Sequence, residues 1–385
     1  MEFPYKLFPM TQTKSRFENL KALQKDHPVD AFLISSPASV KYFSGYFFYF
    51  EYGASPFHLL PAICMAVPGG NTSLIVADNE LGQASLEDPA FELMPYESYS
   101  FEQAPDPAAA ALKKIEEFLL KNKLTAARIG IEYKSIPFRI IKALEEKFPG
   151  IQWMDVGEPM AKLRMIKDDD EIEAIRKAAA LADIGQEAVL KYARPGMTEL
   201  EVFALVHRDM EASAGFRVPL MSDLSTGIGT NAGGGMPSNR VICKGDPLLS
   251  DFQPCLQGYW GDSCSTVIIG DEPTTDQKKT FALVKETLYI GIEAIRPGIQ
   301  AKEIDRLMRN HLGSYPHHSG HSVGTAYHEE PRITPYNDTV LEAGMIIALE
   351  PAVYQPAYGI RLEHLMLVTG SGTELLTKFK HRLEQ

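Results

Sequence analysis

Two strand–turn–strand segments near the C-terminal end each carry an acidic residue on both arms, and this limits what the chain can fold into. Residues 248–252 and 259–269 read as strands about a turn at Gln253-Pro-Cys-Leu-Gln-Gly258, with Asp251 and Asp262 expected to face each other across it. Residues 344–349 and 359–369 flank a second turn around 355–358, with Glu350 and Glu363 near-symmetric about it. Alternation along the strand groups Trp260, Asp262, Cys264 and Thr266 on one face. Opposed carboxylates destabilise a ladder, and burial raises their pKa, unless a cation compensates. One such pair is commonplace on an exposed hairpin. Two pairs, together with His321 in the Gly-flanked strand GHSVG, point to a metal centre. Four carboxylates balance two divalent ions in charge. A donor set of oxygens and one imidazole suits manganese, iron, cobalt or zinc rather than a thiolate-selected metal. Two such ions would turn a shared water into a hydroxide that attacks a carbonyl.

The rest of the composition is consistent with an enzyme of two domains. A chain of 385 residues exceeds one ordinary core, and 45% apolar residues supply the interior. A formal charge of −12 excludes nucleic acid and anionic membranes as natural partners. No run approaches the ~20 apolar residues that span a bilayer, and the opening MEFPYKLFPM lacks the basic-then-apolar pattern of a signal peptide. Cys64, Cys243, Cys255 and Cys264 form no CxxC pair, which suits a reducing cytoplasm.

Along the first 160 or so residues, strand and helix signals alternate. Strands are expected at 30–34, 59–67, 72–77 and 128–132, and helices at 108–122 and 137–147, the pattern of an α/β layer. The charged stretch Lys162-Leu-Arg-Met-Ile-Lys-Asp-Asp-Asp170 marks the boundary, giving domains at 1–161 and 162–385. Asp168 or Asp169 is placed to cap a helix running to about Tyr192. Thr198-Glu-Leu-Glu201 has the form of a capping box opening a second helix to about Ala214. Beyond Gly215 come short strands and Gly-rich turns, with helices near 276–295 and 301–312.

These acids and His321 are where the chain resembles the creatinase / aminopeptidase P / prolidase family, the pita-bread metallopeptidases. The stretch DAFLISSPASVKYFSG ending at Gly45 is similar to the opening of that family's N-terminal domain. KLRMIKDDDEIEAIRKA, from Lys162, is similar to the linker and first helix of its catalytic domain, and Arg194-Pro-Gly-Met-Thr-Glu199 to the next turn. The resemblance implies an α+β protein, a creatinase-type α/β domain followed by a pita-bread catalytic domain. It implies that Asp251 holds one metal, that Asp262 and Glu363 bridge the two, and that His321 and Glu350 complete the other. Glu350 would also shuttle the proton, His328 would stabilise the oxyanion and contact substrate, Arg361 would orient the site, and His317 would lie in the substrate-pocket wall. A homodimer is implied as well.

One departure stands out. Peptidases of the family carry a further histidine upstream of the first metal aspartate, near Gly234, but here residues 229–240 are a Gly-rich loop without one. The run Asp262-Ser-Cys-Ser-Thr266 is altered too. The reading is therefore a cytoplasmic dinuclear metallohydrolase acting on a small peptide, an Xaa-Pro dipeptidase or aminopeptidase. The alternative is a hydrolase or lyase acting on a non-peptide small molecule at the same centre, and a third reading is a metal-free binding module. His318 is assigned no role, Cys264 is expected to be a packed thiol, and His364, beside Glu363, is expected to pack on the opposite face.

Overall fold

The computed structural model describes residues 13–47, 62–81 and 91–385. These fall into two compact units, the first ending at Arg164 and the second running from Met165 to Gln385. The opening residues and the start of the strand expected at 59–67 lie outside the described residues.

In the first unit, helix α1 (Thr13–Asp26) leads into β1 (Ala31–Ile34), α2 (Pro37–Ser44), β2 (Ile63–Ala66), β3 (Thr72–Ala77) and β4 (Glu92–Tyr96). Then follow α3 (Pro107–Lys121), β5 (Arg128–Ile131), α4 (Phe138–Lys147), β6 (Gln152–Asp155) and α5 (Gly157–Leu163). The expected boundary at 161/162 falls within α5. The strands form one mixed sheet in the order β4-β3-β2-β1-β5-β6. Strand alternation feeds two cores: Ala31 and Leu33 pack with α3 and α4 residues such as Ile115 and Leu144, whereas Phe32 and Ile34 pack with Leu20, Val40 and Met160. A sheet covered on both faces explains why its central strands are uniformly apolar.

The second unit opens with α6 (Asp169–Tyr192) and α7 (Glu199–Ala214). Asp168 and Glu171 close a capping box on α6, and Thr198 and Glu201 close the expected one on α7. Their apolar faces, including Val189, Val206 and Met210, pack with Leu224, Leu248 and Phe252 of the strands that follow. Those strands are β7 (Leu220–Thr226), β8 (Pro247–Leu256), β9 (Tyr259–Trp260) and β10 (Ser263–Ile268). They form a sheet in the order β10-β8-β7, with β9 on β8.

A second helix pair, α8 (Thr275–Ala294) and α9 (Ala301–Leu312), shares a core with the remaining strands through Val284, Leu288, Ile304, Leu349 and Met366. These strands are β11 (Gly320–Ser322), β12 (Glu329–Ile333), β13 (Ile346–Leu349), β14 (Ala352–Gln355), β15 (Tyr358–Arg361), β16 (His364–Val368) and β17 (Thr373–Leu375). Five of them make the sheet β12-β11-β13-β16-β17, while β14 pairs with β15. Two sheets, each backed by a helix pair, are what the pita-bread resemblance implies.

Candidate metal centre

The first acidic hairpin has a different register from the one expected. Its turn is only Gln257-Gly258, both at positive φ (51° and 86°), the two-residue turn that matches strand twist. Pro254 therefore stays inside β8, and Asp251 pairs with Cys264 rather than with Asp262. On its other side Asp251 pairs with Asp223 of β7. Asp262 lies diagonal to Asp251, and Gln253 bridges them, its Nε2 donating to Asp251 Oδ1 and, at 3.1 Å, to Asp262 Oδ1.

The second hairpin behaves as expected. The β13–β16 and β14–β15 ladders share one register, which puts Glu350 across from Glu363. Both acids sit where the ladder is interrupted. Glu350 N donates instead to Ser319 O at 3.0 Å, and Glu363 N to Cys264 O at 2.8 Å. Each acid is thus tied by its backbone to a different neighbouring segment, and the two hairpins meet at one point.

His321 faces the acids from β11. Its Nδ1 lies 3.0 Å from Ser322 O, and a carbonyl only accepts, so Nδ1 carries the proton and the Nε2 lone pair points at the acids. Nε2 is 3.5 Å from Asp262 Oδ2, 3.6 Å from Glu350 Oε1 and 3.9 Å from Glu363 Oε1. Candidate ligand atoms of Asp262, His321 and Glu363 all lie within 4.8 Å of one another, and so do those of His317, His318 and Glu350.

The electrostatics fit a pair of divalent cations. Burial, then the neighbouring Asp251 and Glu350 carboxylates, push Asp262 well above the usual carboxylate range. Burial and then Asp262 do the same to Glu363. Burial also lifts Asp251, against Arg361, to about 6. Burial works on Glu350 as well, but His318 Nδ1, 3.1 Å from its Oε1, leads the opposing interactions that hold it ionised. Glu363 Oε1 is buried with no hydrogen-bond partner among the described residues. Buried acids this short of donors and positive charge are what a cation would satisfy.

The other expected residues occupy distinct places. Arg361 donates to Asp251 Oδ2, Gly233 O, Tyr354 OH (3.2 Å), Cys264 Sγ (3.3 Å) and Asp223 Oδ2 (3.5 Å), so every guanidinium N–H is used. Asp251 is thus held by Arg361 and Gln253, beside the cluster. His317 Nε2 accepts from Tyr354 OH at 2.9 Å, as its Nδ1 donates to His318 O. His328 lines the same cavity, its ring edge-on to that of His321 with centroids 4.3 Å apart. Cys264 is buried, and His364 bonds Thr377 Oγ1 away from the acids.

Four site residues escaped the sequence reading. Asp223, Gln253 and Tyr354 reach the site through cross-strand pairing, and among these only the strand period at Asp223 offered a signal. His318, left without a role, contacts Glu350. The Gly-rich loop is clamped at both ends by buried Glu199, which accepts from N and Oγ1 of Thr226 and from N and Oγ of Ser238. A histidine at 234 does not fit this loop. Gly234 has φ +129°, and a Cβ there would lie 2.1 Å from Asp223 Oδ2.

Residues 173–370 match metallopeptidase family M24, and residues 16–166 match the creatinase/prolidase N-terminal domain. An Xaa-Pro dipeptidase of Pyrococcus horikoshii is 31% identical over 362 residues, covering 92% of this chain and 94% of the relative. The crystal structure of a prolidase from the same organism superposes with a TM-score of 0.80 at 28% identity, covering 97% of this chain and all of that one (100%). An Xaa-Pro dipeptidase structure from Bacillus anthracis, 24% identical, shares the fold with a TM-score of 0.83 over 97% of this chain and 99% of that one. The chain belongs to metallopeptidase family M24, with a creatinase/prolidase domain ahead of its peptidase domain.

Proposed function

We propose that the protein is an Xaa-Pro dipeptidase-type hydrolase using two divalent ions, manganese by preference, held by Asp251, Asp262, His321, Glu350 and Glu363. The observation that carries this reading is the buried convergence of Asp262, His321, Glu350 and Glu363, with a Glu363 oxygen that has no partner among the described residues. Bound there, the ions would neutralise the acids, polarise the scissile carbonyl and acidify water. The likeness to the Pyrococcus horikoshii dipeptidase supports the peptide substrate.

The chain's own groups then have separable tasks. Glu350, kept ionised by His318, takes the proton from the attacking water and delivers it to the leaving nitrogen. His328, at the cavity wall, donates to the oxygen that becomes negative. Arg361 fixes the Asp251 carboxylate, and His317, oriented by Tyr354, borders the substrate. A domain division at 161/162, a homodimer and a cytoplasmic location belong to the same reading, the last supported by four free thiols.

A second reading keeps the centre and changes the substrate to a non-peptide small molecule. It is favoured by the Gly-rich loop 229–240, which has no histidine and leaves no room for one at 234. The test is elemental analysis of protein purified without chelator, followed by assay with Mn and Xaa-Pro dipeptides and longer Xaa-Pro peptides. Stoichiometric metal and dipeptide hydrolysis are expected. Metal without turnover of any Xaa-Pro peptide would remove the peptidase reading and leave the second.

A further inference from the structure

The metal-centre acids Asp251 and Glu350 line a cavity of about 800 Å³, and one stretch of its wall has a different chemistry. It is built from Met221 and Asp223 of β7, Phe203 of α7 and Met236 of the Gly-rich loop. Alternation puts Met221 and Asp223 on one face of β7, the face that Asp251 and Gln253 present from β8. Two rows therefore run across the sheet toward the acids: Asp223, Asp251 and Cys264, then Met221, Gln253 and, diagonal to Asp251, Asp262.

Asp223 is the under-compensated member of its row. Arg361 Nη2 serves both Asp251 and Asp223, but it sits against Asp251 and is 3.5 Å from Asp223. No shorter hydrogen bond reaches the Asp223 side chain among the described residues, and 39% of that side chain is exposed. The loop is shaped to admit it: only a glycine at 234 leaves room for its carboxylate. Beside it, Met221 is 43% and Met236 86% exposed, unusual for long apolar side chains that are free to pack elsewhere. Unbranched thioethers adapt to apolar groups of varied shape.

We propose that Asp223, Met221 and Met236 form the subsite for the first residue of the substrate. The carboxylate takes a free ammonium, and the methionines take a large, flexible apolar side chain. This rests on the peptidase reading only for its choice of substrate. The chemistry of the wall selects a cation with an adjacent apolar chain in either case.

Two measurements on the metal-loaded protein test it. In the first, NMR titration compares n-hexylammonium, methylammonium and 1-hexanol as probes. Hexylammonium should bind at least about 10-fold more tightly than either of the others, because only it offers both charge and apolar surface. Asp223→Asn should erase its advantage over hexanol. Met221→Lys, which sets a cation beside an intact Asp223 on an exposed position, should do so as well, so the result does not depend on one variant folding. Equal binding of the three probes, or a hexylammonium preference that survives both substitutions, would overturn the proposal. In the second, kcat/KM is compared for Leu-Pro, Gly-Pro and N-acetyl-Leu-Pro. Asp223→Asn should shrink the preference for the free amine by about 10-fold, mainly through KM. Met236→Ala should shrink the Leu-Pro over Gly-Pro ratio by about 10-fold. Should no Xaa-Pro peptide turn over while the probe pattern holds, the peptidase reading fails and the cationic, apolar subsite stands.

Discussion

Glu132 in the first unit and Glu363 in the second are both buried carboxylates, and the chain treats them in opposite ways. Glu132 accepts from Ser35 N (3.1 Å), Ser36 N (2.9 Å), Ser36 Oγ (2.6 Å) and Ser39 Oγ (2.7 Å), so both oxygens are fully served at the start of α2. Glu363 has an oxygen with no donor among the described residues and faces Asp262 and Glu350. Glu199 follows the first pattern, with four donors from the two ends of the Gly-rich loop. A buried acid surrounded by donors is structural. A buried acid left among other acids is held for a cation that arrives from outside.

The largest effect should separate these two kinds of acid outright. Glu363→Gln should lose stoichiometric metal by elemental analysis and lower kcat/KM by roughly 10³-fold or more. In metal-free protein the same change should raise the Tm at neutral pH, because it removes a buried acid whose ionisation beside Asp262 and Glu350 is unfavourable. A normal metal content in that variant would break the comparison. Glu132→Ala should do the reverse, costing about 3 kcal/mol in chemical denaturation by stranding several donors, with metal content unchanged.

The dependence on pH sharpens the contrast. Asp251, Asp262 and Glu363 have raised pKa values without a cation, Asp251 reaching about 6, with burial the leading cause. Above the ordinary carboxylate range near 4, the folded metal-free chain holds more protons than the unfolded one. The contribution of these three acids to its stability is therefore complete at low pH and is lost as pH rises through their folded values. A cation removes that decline, so the Tm gained on adding Mn should widen from pH 5 to pH 8; a constant gain would contradict the assignment. The smallest effect is expected at Glu199. Glu199→Gln should cost about 1 kcal/mol and shift KM through the loosened 226–238 loop, at unchanged metal content.

Much of this was readable in the residue order where neighbours in sequence decide the outcome. Asp168, one of two residues expected to cap α6, does so, and the capping box expected at Thr198/Glu201 formed, since a side chain reaching three residues along needs no tertiary help. Glu350 and Glu363 also met, because a tight turn sets register locally. The first hairpin misled because Gln253-Pro254 resembles turn chemistry, whereas the turn belongs to the two positive-φ residues after it. Asp223 and Gln253 were illegible for another reason. The strand period at Asp223 marks a face but not that β7 lies alongside β8, and the role of Gln253 depends on where the neighbouring turn falls.

By itself, then, the sequence determined the alternation of elements, the family likeness and the residue types able to bind metal, because these depend on local spacing and chemical identity. Only the tertiary structure decided which acid oxygen lacks a donor among the described residues, which acid Arg361 secures, and that Asp223 and two methionines share the cavity wall with Asp251 and Glu350. Those outcomes depend on strand order and side-chain direction, which are settled when distant segments pack together.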